Sequence, residues 1–254
     1  SDMDIGPCLI HHDAEDKILL LEKAQGEHLT LSQLTELDIQ IAIASQLNIW
    51  HEANSQELSV RPNIIEKIDH LAKEINQETL QLFNINNLTQ LLSPWINNLS
   101  DKYQVFHGDP NPTNMILLPS GTVHLIDWST AGIGEPWVDF AMVGQYMPAA
   151  ARHSWYNLIT EHQGNAETKK TFQAYHYLLH LHCCFWALKQ ATNMLNNNTQ
   201  KIIDLVKNQQ LTTNIPGIQN QWLKGHFKHK DPEQYILLAK LMADFCLAKE
   251  NICL

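Results

Sequence analysis

The stretch FHGDPNPTNMILLPSGTVHLIDWSTAGIGEPWVDF, Phe106 to Phe140, decides how this chain is read. It opens with His107-Gly108-Asp109, places Asn114 five residues after Asp109, and places Asp127 thirteen residues after Asn114. Between the last two, Met115 to Leu118 and Thr122 to Ile126 are short apolar or alternating runs around Pro119-Ser120-Gly121, the pattern of a β-hairpin with a turn at its tip. A hairpin returns the chain to its starting point, so Asp127 is expected beside Asn114 and Asp109. The result is two oxygen ligands for a hard cation next to one carboxylate that can face a hydroxyl. Plain turn and cap roles would require His-Gly-Asp, the Asn and the Ile-Asp to coincide by accident.

His107-x-Asp109 followed by Asn114 has the register of a kinase catalytic loop. The run continues with Ile126-Asp127-Trp128, Ala131-Gly132-Ile133-Gly134, Pro136 and Asp139-Phe140-Ala141, and as a whole it resembles the aminoglycoside phosphotransferase and choline kinase superfamily of small-molecule kinases. A weaker likeness covers most of the chain. Lys17 to Gly26 resembles the family's hinge strand, and Leu47 to His51 resembles its L-x-x-L-H. Protein kinases fit less well, because Asn111 stands where most serine/threonine kinases carry Lys and no A-P-E follows Asp127.

The resemblance implies an α+β, protein-kinase-like fold: a mostly α-helical carboxy-terminal lobe with a short remnant of the amino-terminal β-sheet. Residues 1–26 would be that remnant and the hinge, and residues 27–254 the helical lobe with the catalytic loop and metal-binding hairpin. It implies transfer of the γ-phosphoryl of ATP or GTP to a hydroxyl of an aminoglycoside-, choline- or sugar-like molecule. Asp109 would be the catalytic base, Asn114 and Asp127 the Mg2+ ligands, and Asp139 the brace of the catalytic loop. For the nucleotide, the backbone of Glu22 and Ala24 would pair with the purine edge. Ile116 and Ile126 would form an apolar floor under the ring, or else simply pack the hairpin, two readings of equal weight. For the acceptor, Trp186 lies in a stretch resembling the late helix of choline kinases, where an aromatic face suits a quaternary ammonium, although membership of an apolar stripe is the plainer reading. Ser129 stands where bacterial choline kinases usually carry Glu, which leaves Glu135 or other acids to receive a cation.

Composition agrees with this class. A chain of 254 residues, 44% of them hydrophobic, can bury a large core. Its net charge of −10 argues against a nucleic-acid partner, which wants a basic footprint. Five cysteines, Cys8, Cys183, Cys184, Cys246 and Cys253, form no paired framework, so a reducing compartment is the simpler reading. Without a signal-type amino terminus or an apolar run of ~18 residues, a cytoplasmic protein with no membrane span is expected.

Periodicity predicts strands over 8–11 and 17–23. A capping box of Thr30 with Gln33 opens a long helix to about His51, and further helical pattern runs over 63–83 and over 88–99 with a break at Ser93-Pro94. After the hairpin the pattern is helical over 137–146, 149–162, 167–195, 202–206 and 232–248, with loops over 196–200 and 209–221. His176 and His180, with Cys183 and Cys184 a turn on, raise a zinc site, but adjacent cysteines point apart on a helix, so a packed helix is expected instead.

A kinase of this type also needs a phosphate-covering loop, a Lys on its third strand and a Glu on the next helix. The chain starts at what resembles the fourth strand, with Ser1-Asp2 ahead of Met3 read as a cloning remnant. Either it is a fragment of a complete enzyme, or it is a truncated, non-catalytic module that binds a nucleotide or a partner. The expectation from that absence is weak ATP binding, no measurable phosphotransfer, and an apolar edge that favours self-association.

Overall fold

The computed structural model describes residues 6–13, 15–16, 18–54, 58–161, 166–208 and 231–248. The loop expected over 209–221 and Cys253 lie outside them. The chain divides into two compact units, one of residues 1–61 and 102–162 and the other of residues 62–101 and 163–254.

The first unit holds the strands. Strands β1 (Leu9–Asp13) and β2 (Ile18–Leu21) pair antiparallel with a bulge between Leu9 and His11, and the Asp13 carboxylate accepts the amides of Glu15 and Asp16 at the turn. Leu9, Ile10, Ile18, Leu19 and Leu20 of this pair are all at least half exposed. Strand β3 (Glu27–His28) pairs with β5 (Met115–Leu117), which pairs with β6 (Val123–Leu125), and β4 (Gln104–Phe106) pairs with β7 (Gly132–Gly134). The predicted hairpin is therefore present, its register running from Met115 opposite Leu125 to Leu117 opposite Val123. Strands β3, β4 and β7 were not predicted; at two or three residues each they are too short to carry a period.

Thr30 and Gln33 do form reciprocal bonds, but these close a 3-10 turn at Gln33–Thr35. The chain then extends at Glu36, and helix α1 (Leu37–His51) starts there rather than at the capping box. Ile39, Ile43, Leu47 and His51, four apart, are buried along one face of α1, which packs on β4 and β6. Helices α5 (Trp137–Tyr146) and α6 (Ala149–Glu161) complete this unit, tied by the Trp155 indole N–H donating to the Phe140 carbonyl at 3.0 Å.

Among the described residues the second unit is built of helices: α2 (Ile64–Lys73), α3 (Gln77–Leu82), α4 (Leu88–Ile96), α7 (Ala166–Met194), α8 (Thr199–Asn208) and α9 (Pro232–Leu247). The single helix expected over 63–83 is two, because Asn76 leaves the helical conformation and its side chain caps the Thr79 amide. The break expected at Ser93-Pro94 does not occur. Pro94 falls two residues before Ile96, the last residue of α4, where a missing N–H costs one bond in a turn already near its end. α7 is the core of this unit, with Tyr175, Leu178, Phe185 and Leu188 fully buried, and α9, whose Ile236, Ala239 and Ala243 are fully buried too, packs along it. Each such large apolar side chain contributes roughly 1.5–3 kcal/mol on burial. None of the described helices is long and apolar enough to cross a membrane.

Candidate catalytic site

The loop after β4 turns on Gly108, whose φ is 83° and where a Cβ would lie 2.8 Å from the Thr130 carbonyl oxygen. Left-handed backbone and close approach together leave room only for glycine. The loop is then held by Asp139, on the first turn of α5 and fully buried. One carboxylate oxygen accepts the Gly108 amide at 2.8 Å, and the other accepts the His107 amide at 2.8 Å and the His51 Nε2–H at 2.9 Å. Removing this carboxylate would leave three buried donors unmatched, at roughly 1–3 kcal/mol each. Asp139 thus ties the loop to His51 at the end of α1.

His107 is also fully buried and links the loop to the hairpin. Its Nδ1 accepts the Asp109 amide at 3.3 Å, so Nε2 carries the proton and donates to the Ile126 carbonyl at 3.0 Å. Trp128 packs against the His107 ring at 4.6 Å between centroids and against Trp50 at 4.5 Å.

The base of the hairpin is closed by the Ile126 amide donating to the Asn114 carbonyl at 2.9 Å. Asn114 precedes β5 and Asp127 follows Ile126, so this bond closes the hairpin one residue before Asp127. The Asn114 amide nitrogen donates to the Asp109 carbonyl at 2.9 Å and to an Asp109 carboxylate oxygen at 3.2 Å, which leaves its oxygen as the atom outside those bonds. The other Asp109 oxygen accepts from the Asn111 side chain at 3.0 Å. Burial pushes the Asp109 carboxyl above its ordinary value; the Asn111 bond opposes the rise and the nearby Asp127 charge adds to it.

Asp127 is exposed and adopts left-handed backbone, φ 59° and ψ 72°. That conformation costs a non-glycine residue of order 1 kcal/mol or more and needs support. The Ser129 hydroxyl, 2.7 Å from one Asp127 carboxylate oxygen, supplies it. Among the described residues no group of three or more His, Cys, Asp and Glu is placed to hold a metal ion. The oxygens of Asn114 and Asp127 nevertheless suit magnesium, which keeps waters and takes further oxygens from phosphates.

The nucleotide candidates lie in the same unit. Glu22, Ala24, Leu118, Ser120 and His124 line one cleft of about 340 Å3. The Glu22 amide is already bonded to the Cys8 carbonyl at 2.8 Å, so only its carbonyl and the Ala24 backbone are left for a purine edge. Ile116 is buried in β5 opposite His28, outside the cleft lining, while Ile126 is half-buried at the His107 bond. Glu135 is buried just before α5. In the other unit, Trp186 packs edge-on against Tyr235 at 5.5 Å. His176 and His180 there sit 4.5 Å apart with Phe245 against both rings, and His180 Nδ1 meets the His176 carbonyl at 2.7 Å, as a packed helix requires.

The bonds from Asn111, Ser129, Thr130 and His51 went unread in the sequence. The Thr130 and His51 bonds join residues brought together by the tertiary fold, whereas Asn111 and Ser129 each lie two residues from the carboxylate they hold, a local signal that was there to be read.

The sequence matches the profile described as the phosphotransferase enzyme family over residues 5–175. No curated protein matches it. Among solved structures, the chain is similar to an ethanolamine kinase from Plasmodium vivax, at 15% identity and a TM-score of 0.55, covering 74% of this chain and 62% of that one. It is also similar to a choline kinase from Streptococcus pneumoniae, at 16% identity and a TM-score of 0.57 over 89% of this chain and 75% of that one. A thermostable mutant of an aminoglycoside phosphotransferase, solved as a ternary complex with ADP and hygromycin B, gives 14% identity and a TM-score of 0.56 over 94% and 78%. These likenesses show the protein-kinase-like fold, and the chain spans less than two thirds of the ethanolamine kinase. With a match that covers the loop, the hairpin and the bracing helix together, the chain belongs to the phosphotransferase enzyme family.

Proposed function

We propose that this protein is a small-molecule kinase that moves the γ-phosphoryl of ATP or GTP to a substrate hydroxyl. The observation that carries the reading is the arrangement at the foot of the hairpin: Asn114 bonded to the Asp109 carboxylate, with the backbone bond from Ile126 to Asn114 setting Asp127 alongside. Asp109 orients the acceptor hydroxyl and takes its proton. Its raised pKa brings it nearer the operating pH, which suits a proton acceptor better than an ordinary carboxylate would. The Asn114 oxygen and the Asp127 carboxylate would hold magnesium, which would supply positive charge against the phosphates. Asp139 keeps the loop amides fixed, so the base does not have to reorganise as the proton moves. The hinge at Glu22 and Ala24 would receive the purine. The acceptor belongs with the choline-, aminoglycoside- or sugar-like alcohols, with a reducing, cytoplasmic setting in keeping with the free thiols of Cys8, Cys183, Cys184 and Cys246.

The test is phosphoryl transfer from labelled ATP and GTP to a panel of choline, ethanolamine, aminoglycosides and sugars, with Asp109→Asn beside the parent. In a complete enzyme, turnover should fall by roughly 10²–10⁴-fold in the variant while nucleotide binding is kept. Near-normal turnover would make Asp109 a turn residue only. Magnesium-dependent nucleotide binding with no transfer by the parent to any acceptor would favour the second reading, a non-catalytic nucleotide-binding module.

A further inference from the structure

Asp127 stands at the head of a short turn, Trp128–Thr130, that also touches the catalytic loop: the Thr130 hydroxyl donates to the His107 carbonyl at 2.9 Å, and the Thr130 carbonyl lies against Gly108. The turn is held from its other side by Arg61. The Arg61 Nε–H donates to the Ala131 carbonyl at 2.9 Å, and a terminal guanidinium N–H donates to the Ser129 carbonyl at 3.3 Å. The backbone before Arg61 runs beside β7, with the Ile133 amide bonded to the Ser59 carbonyl and the Arg61 amide to the Ile133 carbonyl, both at 2.9 Å, and a parallel bridge between Val60 and Ile133. Gly132 is part of the same fit, since a Cβ there would lie 2.6 Å from both the Arg61 side chain and the Ser59 carbonyl.

We propose that Arg61 is a positioning residue of the site, a planar two-pronged donor that locks the turn 128–131 and through it sets the Asp127 carboxylate and the His107-Gly108 backbone. The inference adds a residue to the proposed kinase reading and rests on it for its catalytic meaning. The chemistry explains the residue type. A guanidinium presents donors in a fixed plane and so can take two carbonyls of one turn at once, whereas a lysine ammonium offers a single flexible point. A bonded charged donor is also worth more than a neutral one. Ser129 links the two halves, its carbonyl held by Arg61 and its hydroxyl holding Asp127.

The experiment uses the 254-residue chain as parent with Arg61→Ala and Arg61→Lys, and reads two quantities. Amide hydrogen exchange followed over 128–131 should speed up by about tenfold in Arg61→Ala, as expected for loss of bonds from a charged donor, and by less in Arg61→Lys. Exchange in α7 should not change. In titrations with ATP, the strengthening of binding by magnesium should shrink at least severalfold in Arg61→Ala while magnesium-free binding stays at the parent value, a pattern that general destabilisation would not give. Unchanged exchange over 128–131 in both variants would overturn the inference, as would faster exchange with the magnesium effect intact. If Arg61→Ala does not fold, Arg61→Lys decides in the same terms. If the parent itself shows no magnesium effect, the kinase reading fails, and the exchange arm still decides whether Arg61 locks the turn.

Discussion

Asp109 is tuned by two opposing effects within one loop: burial that disfavours its charge, and side-chain donors from Asn111 and Asn114 that favour it. For a base the working form is the carboxylate, so turnover should rise with pH through a limb lying above the ordinary value for an aspartate. Asn111→Ala removes a donor that stabilises the charged form and should move that limb to higher pH, leaving the plateau rate within a few fold of the parent. A pH profile of kcat for parent and variant checks this, and a limb that stays in place or moves down contradicts it. The residue types that carry this chemistry were plain in the sequence, because the motif spaces them along one loop and one hairpin. The residues that hold them were not. Thr130 and Arg61 act through carbonyls whose positions depend on how distant segments pair, and no local pattern records that.

At the scale of elements, the hairpin β5–β6 was readable because alternation and a Pro-Ser-Gly tip agree, whereas the start of α1 was misread. Thr30 and Gln33 satisfy the capping pattern, yet the extended backbone at Glu36 separates their turn from the helix. A capping box reports only that some turn begins. In α7, His182 is half-buried, and burial followed by the charge of Lys67 pulls its pKa from 6.5 down to about 4. The group therefore stays neutral in the fold while it protonates in the unfolded chain, so stability is fully present above pH ~6.5 and is lost as pH falls toward 4. His182→Gln should show a smaller drop in thermal midpoint than the parent over that window and little difference from it at pH 8. Equal drops would mean that His182 does not titrate between the two states.

At the scale of the whole molecule, the helical character was foreseeable from the long 3.6-residue patterns after the hairpin, and the fold class was implied by the resemblance of the loop and hairpin to the small-molecule kinases. Division into units of 1–61 with 102–162 and of 62–101 with 163–254 was not, since it depends on chain returns that composition does not mark. The reading of 1–26 as a sheet remnant with hinge remains our proposal, supported by the pairing of β1 with β2 and by the apolar face that pair exposes. Self-association through that face is expected to grow with concentration and to be lost when Leu19 and Ile10 are made polar, as read by sedimentation.

The central claim is that the foot of the hairpin is a magnesium-nucleotide site, and titration of ATP and GTP with and without magnesium into the parent and Asp127→Ala tests it most directly. The account predicts magnesium-dependent binding in the parent and its loss in Asp127→Ala with the fold intact by circular dichroism. Equal affinities with and without magnesium in the parent, or an undiminished magnesium effect in Asp127→Ala, would contradict it.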